Sequence, residues 1–101
     1  MNVEEATRGY AALSTEVRLN TLKLLARAGE DGLPSGEIAK KLNVPHNSLS
    51  QQLALLSAAE LVKQTREGRN VYYALDLGAL KKLGDVIDQL IVGHSAKGRR
   101  S

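Results

Sequence analysis

From Asn43 to Ala59 the chain of 101 residues carries no charged side chain, yet Asn47, Ser48, Ser50 and Gln51 concentrate hydrogen-bonding groups there. Amides and hydroxyls in this pattern recognise other molecules; they do not break bonds unaided. The Asn and Gln side chains present a donor beside an acceptor, which matches the edge of a base, adenine above all, in the major groove of duplex DNA. Ser48 and Ser50 suit phosphate oxygens, helped by the positive end of a helix dipole. At about 100° per residue, Asn47, Ser50, Gln51, Ala54 and Ala58 share one side of a helix while Leu49, Leu53 and Leu56 share the other. The alanines permit close backbone approach. His46 opens this helix as a group on the DNA side or in solvent. An ordinary solvated face would carry Lys and Glu.

A second polar group follows closely. Two short runs compatible with strands, Leu61 to Thr65 and Val71 to Leu75, flank Arg66-Glu67-Gly68-Arg69-Asn70, where Gly68 and Asn70 tolerate a positive φ. Lys63, Arg66, Arg69 and Asn70 would set this hairpin along a minor groove or flanking phosphates. A charged tip also keeps a loop soluble. Tyr72 and Tyr73 alternate faces, so one packs and the other lies near DNA or against a neighbouring helix.

The elements that must position these groups are legible from periodicity. Val3 to Leu13 reads as a helix. A second, capped by Ser14 or Thr15, runs to Ala28 and stops at Gly29; Glu30 to Pro34 reads as a turn. Ser35 caps a third helix carrying Ile38, Ala39 and Leu42. Asn43-Val44-Pro45 breaks the chain before a fourth helix, His46 to Ala59. A last helix spans about Gly78 to Val92. The order α-α-α-α-β-β-α is mostly α with a β-hairpin wing, a winged helix-turn-helix. Residues 1–92 form that domain, and 93–101 a flexible basic tail. Val3, Ala6 and Tyr10 on the first helix, with Leu83, Ile87 and Leu90 on the last, make apolar stripes that a monomer would leave exposed, which points to a homodimer.

Composition excludes several classes. The chain is 43% hydrophobic with a net charge of +3, no cysteine and two histidines, His46 and His94. There is thus no disulfide, thiolate metal site or thiol nucleophile. No run approaches the ~18 apolar residues of a membrane span, and the N-terminus has no signal-peptide pattern, so a cytoplasmic protein is expected. No nucleophile elbow, phosphate loop or carboxylate pair accompanies the Ser, His and Asp residues, so neither an enzyme nor a cofactor is expected.

Leu49-Ser50-Gln51-Gln52-Leu53 with Leu56, Ala59 and Leu61-Val62, then Arg66 to Arg69 and Val71-Tyr72-Tyr73, resembles the ArsR/SmtB family of bacterial repressors. Upstream, Ala12-Leu13-Ser14, Val17-Arg18-Leu19 and Leu22 to Leu25 extend the likeness over about residues 10 to 92. The resemblance implies a homodimer built on the first and last helices, binding an imperfect palindrome in a promoter and blocking transcription. Ser48, Ser50, Gln51 and Gln52 fall where that family places DNA-contacting or DNA-adjacent residues. Three departures stand out. The segment Gly32 to Glu37 lacks the cysteine-containing metal box. Asp85 and Asp88, with His94 beyond the end of the last helix, match the family's zinc site poorly, so no metal is expected. Glu60 occupies a position where the family usually has Gly, which costs about 1 kcal/mol if its backbone is left-handed. The partners expected are double-stranded DNA and a second copy, with no membrane; the inducer is unspecified. The alternative is a winged-helix module that pairs with proteins.

Overall fold

A computed structural model describes residues 1–97. Its elements run α1 (Val3–Ala12), α2 (Glu16–Ala28), β1 (Leu33–Pro34), α3 (Ser35–Leu42), α4 (His46–Ala58), β2 (Val62–Glu67), β3 (Asn70–Leu75) and α5 (Leu77–Lys97). The winged helix-turn-helix is as expected, with one strand added: β1 pairs antiparallel with β3, and the sheet order is β1-β3-β2. Among the described residues, no helix is long and apolar enough to cross a membrane.

Local chemistry sets most boundaries. Asn2 and Glu5 close a reciprocal capping box at the start of α1. Thr15 caps α2 by accepting from the Arg18 N–H, and Gly29, at φ 75°, ends that helix. Ser35 does not cap α3 as expected, because Pro34 takes that place without a side-chain bond and Ser35 is the first helical residue. The core is aliphatic: Leu25, Ile38, Leu49, Leu53, Leu56 and Leu61 are almost wholly buried beneath α2, α3, α4 and the sheet.

Two corners bound α4. Asn43 is left-handed at φ 55° and ψ 49°, with its N–H bonded to the Lys40 carbonyl and that of Val44 to the Ala39 carbonyl. Glu60 repeats the arrangement at φ 61°, its N–H on the Ser57 carbonyl and that of Leu61 on the Leu56 carbonyl. Both are Schellman endings, in which one left-handed residue turns the chain and satisfies carbonyls at a helix end. The left-handed backbone at Glu60 therefore carries the strain that a Gly would not.

The hairpin turns through Gly68 and Arg69, since Glu67 pairs with Asn70. Gly68 has φ 62° while neither Arg69 nor Asn70 is among the positive-φ residues, which matches a type II′ turn with Gly at its first central position. Asn70 is a strand residue. Gly32 holds β1 in place: it lies at φ 69°, and a Cβ there would stand 2.2 Å from the Tyr73 carbonyl oxygen.

The terminal helices meet through a close approach at Gly9, where a Cβ would lie 2.8 Å from Leu83 Cδ1. The Tyr10 hydroxyl donates to the Leu83 carbonyl oxygen. Ala6 and Leu83 are thereby buried within the chain itself, whereas Val3, Ile87 and Leu90 are 82%, 45% and 67% exposed. Ile91 adds to this apolar surface. The last helix does not fray after Val92: Gly93 to Lys97 continue α5, and the remainder of the expected tail, 98–101, lies outside the described residues.

Gly32→Ala should lower stability by at least about 2 kcal/mol, through positive φ and collision with Tyr73. Glu60→Gly should raise it by about 0.5–1 kcal/mol, the relief of strain less the greater freedom of unfolded Gly. Chemical denaturation at fixed protein concentration checks both signs.

Candidate nucleic-acid interface

The exposed face of α4 carries the residues singled out by their hydrogen-bonding types. His46, Asn47, Ser48, Ser50 and Gln51 are all exposed, while Leu49, Leu53 and Leu56 fix the opposite face in the core. The helix begins at Pro45, which offers no side-chain cap. Asn47 Oδ1 instead accepts from the Ser48 N–H at 2.9 Å, leaving the Asn47 amide NH2 to donate outward. The Ser50 hydroxyl donates to the His46 carbonyl at 3.0 Å. Its oxygen retains acceptor capacity, but donation to a phosphate requires the hydroxyl to turn away from that carbonyl.

His46 is fixed in an unexpected way. Its Nε2 lies 2.9 Å from Ser35 Oγ, tying the first turn of α4 to the first turn of α3. Lys40 and Lys41, exposed in the last turn of α3, add positive charge beside the corner that leads into α4. Their place near a helix C-terminus was a signal available in the sequence.

The wing joins the same surface through one bond and one register. Gln64 Nε2 donates to Ser57 Oγ at 3.1 Å, locking β2 onto the end of α4. Residues two apart on a strand share a face, so Arg66 lies on the face of the sheet that meets α4, and Arg69 stands at the tip. Tyr73 shares that inner face, paired with Leu33 and Gln64, and packs against the core. Tyr72, paired with Pro34 and Thr65, lies on the other face. So do Lys63 and Asn70. Lys63 lines a groove with Leu25, Ala26 and Gly29 at the end of α2. The register therefore puts Arg66 on the α4 side of the sheet and Arg69 at the turn, and it puts Lys63 and Asn70 on the opposite side.

Gln52 stands apart from its neighbour Gln51. It is half-buried, and its Oε1 accepts from Arg18 Nη1 at 2.6 Å. Arginine has donors only, so the amide oxygen must face it. Arg18 is itself only 9% exposed. Its partners come from separate helices, so periodicity along α2 gave no sign of the contact.

A family model described as a helix-turn-helix domain matches residues 13–65. The chain is 35% identical over 82 residues to a transcriptional repressor SmtB homolog of Synechocystis, which covers 80% of this chain and 60% of that protein. The chain belongs to the ArsR/SmtB family. Transcriptional repressor SdpR of Bacillus subtilis is 32% identical over 72 residues, 71% of this chain and 77% of that protein. Among solved structures, the homodimeric winged helix-turn-helix DNA-binding domain of a possible ArsR-family regulator from Mycobacterium bovis superposes with a TM-score of 0.71. That likeness spans 98% of this chain and 88% of the other at 23% identity, and shows the shared fold. The relatives are transcriptional regulators, and the helix-turn-helix match, residues 13–65, takes in α2, α3, α4 and part of β2. In this member the structure places His94 within α5, not past its end. Among the described residues, no cluster of three or more His, Cys, Asp or Glu side chains is arranged to hold a metal ion.

Proposed function

We propose that the chain acts as a homodimeric repressor that places α4 of each protomer in the major groove of an imperfect palindrome, with the wings on flanking phosphates. The observation that carries this reading is the uncharged, exposed polar face of α4 beside Arg66 and Arg69. Such a face pairs with base edges, and the cations supply the sequence-independent part of the affinity. A second copy of the chain is the natural cover for Val3, Ile87, Leu90 and Ile91, which α1–α5 packing leaves in solvent. The homodimeric state of the Mycobacterium bovis domain, which shares the fold, agrees with that cover. With no thiol anywhere in the sequence, the inducing signal acts by a route other than thiolate coordination of soft metals.

Footprinting on the gene's own promoter should protect two half-sites about 10 base pairs apart, centre to centre. A single asymmetric site, or no protection, refutes the reading. Gln51→Ala should relax base preference at one half-site position by about 1–3 kcal/mol, whereas Arg69→Ala should weaken all duplexes alike and flatten the salt dependence. Selection from a randomised duplex pool separates the two behaviours.

Ile87→Glu should sediment as a monomer and lose operator affinity, because the two half-sites are no longer held by one particle. Arsenite, cadmium and zinc at micromolar levels should leave operator affinity unchanged in anisotropy titrations. Release of DNA by a stoichiometric amount of any of them would overturn that expectation.

A further inference from the structure

The guanidinium of Arg18, on α2, bonds two other helices, α1 and α4. Nε donates to the Ala12 carbonyl at 2.7 Å, Nη2 to the Ala11 carbonyl at 3.5 Å, and Nη1 to Gln52 Oε1 at 2.6 Å. Ala11 and Ala12 are the last residues of α1, where the helix dipole favours a cation; the Ala11 carbonyl also accepts from the Ser14 N–H at 3.1 Å and hydroxyl at 2.6 Å, so the Ala12 bond is the principal one. That same helix is fastened to α5 by the Tyr10–Leu83 hydrogen bond and the Gly9–Leu83 contact. One buried side chain of α2 thus joins the α1–α5 platform to the DNA-reading helix α4.

We infer that Arg18 is a positioning residue for operator recognition: acting through Gln52, it holds the reading face of α4 in register with the α1–α5 platform. A shift of the end of α1 then draws on the guanidinium, and the guanidinium draws on α4. The planar fork of arginine suits this task, because its separate donors keep fixed directions to partners on different helices. In low dielectric these bonds are worth more than at the surface, and a partner lost is costly. Gln52 acts here as an acceptor toward the protein interior, not as a direct contact to a base or phosphate. The inference rests on the regulator reading above.

The test measures the ratio of operator affinity to affinity for an unrelated duplex, using the full chain and fluorescence anisotropy. The ratio cancels changes in long-range charge. Thermal melts and sedimentation follow each variant. Gln52→Leu and Arg18→Lys should each lower the ratio about tenfold, within the usual range for coupled sites. The double variant should lose no more than the weaker single one. Gln52→Glu, which keeps an acceptor for Arg18 and removes the amide donor, should retain the wild-type ratio within about threefold; it supplies the answer even where Arg18→Lys fails to fold. Additive losses in the double variant overturn the inference, as does a ratio for Gln52→Glu as low as that for Gln52→Leu, and both outcomes make Gln52 a direct contact. Single variants with wild-type ratios overturn it too. A wild-type protein that prefers no duplex over any other overturns the regulator reading and this one with it, and is distinguished from the preceding outcomes by the wild-type measurement alone.

Discussion

The direction of α4 depends on two abrupt reversals of the backbone, at Asn43 and at Glu60, both in the left-handed region. A helix that shows a polar face to solvent and buries the other in the core needs a fixed axis, and these corners fix it. At the first, Asn accepts the conformation readily because its short side chain bonds locally. Val44 then follows, packed against the core. At the second, the sequence offers Glu, and the strain is sustained by what comes next: Leu61 is wholly buried and Val62 nearly so. Their burial fixes the start of the sheet, and the wing takes its position from there.

Between the corners, orientation about the axis is settled by apolar and polar contacts acting on different faces. Leu49, Leu53 and Leu56 choose which side is buried. The Ser35–His46, Arg18–Gln52 and Ser57–Gln64 pairs fix the beginning, middle and end of the helix against α3, α2 and β2. Hydrophobic burial is non-directional, whereas hydrogen bonds are directional. The first holds the helix down and the second prevents it from rolling. Thr21, also fully buried, satisfies its hydroxyl on the Val17 carbonyl. Among the described residues no buried side-chain nitrogen or oxygen lacks a partner.

What could be read from the sequence was whatever depends on neighbours along the chain. The helices follow from apolar spacing, the corner before α4 from Asn43-Val44-Pro45, and the hairpin from Gly68 between two strand-like runs. The strand β1 was not legible, because two residues carry no periodicity and its partner, β3, lies some forty positions away. Ser35 has the right type for a cap, but Pro34 stands one place earlier with a suitable backbone, which frees the hydroxyl for His46. The small, polar and basic composition from Gly93 onward suggests a tail, yet one glycine costs a helix only about 1 kcal/mol and α5 continues through it to Lys97. The face of α4 was read from local spacing, but the different surroundings of exposed Gln51 and half-buried Gln52 turn on Arg18, thirty-four residues from Gln52. Likewise Lys63 and Arg66 look alike in composition, and only strand register separates them.

The sheet ends at β2, so among the described residues the outer side of that strand has no paired neighbour. An unpaired strand edge invites backbone pairing with other chains, and hence fibrous association. Here five consecutive residues of that edge, Lys63 to Glu67, are exposed, and three of them are charged. In a protein not engaged on its target, these charges keep the open edge hydrated and solvent-facing. The wing's cations thus serve colloidal dispersal, and a chain that lost them would become prone to self-association.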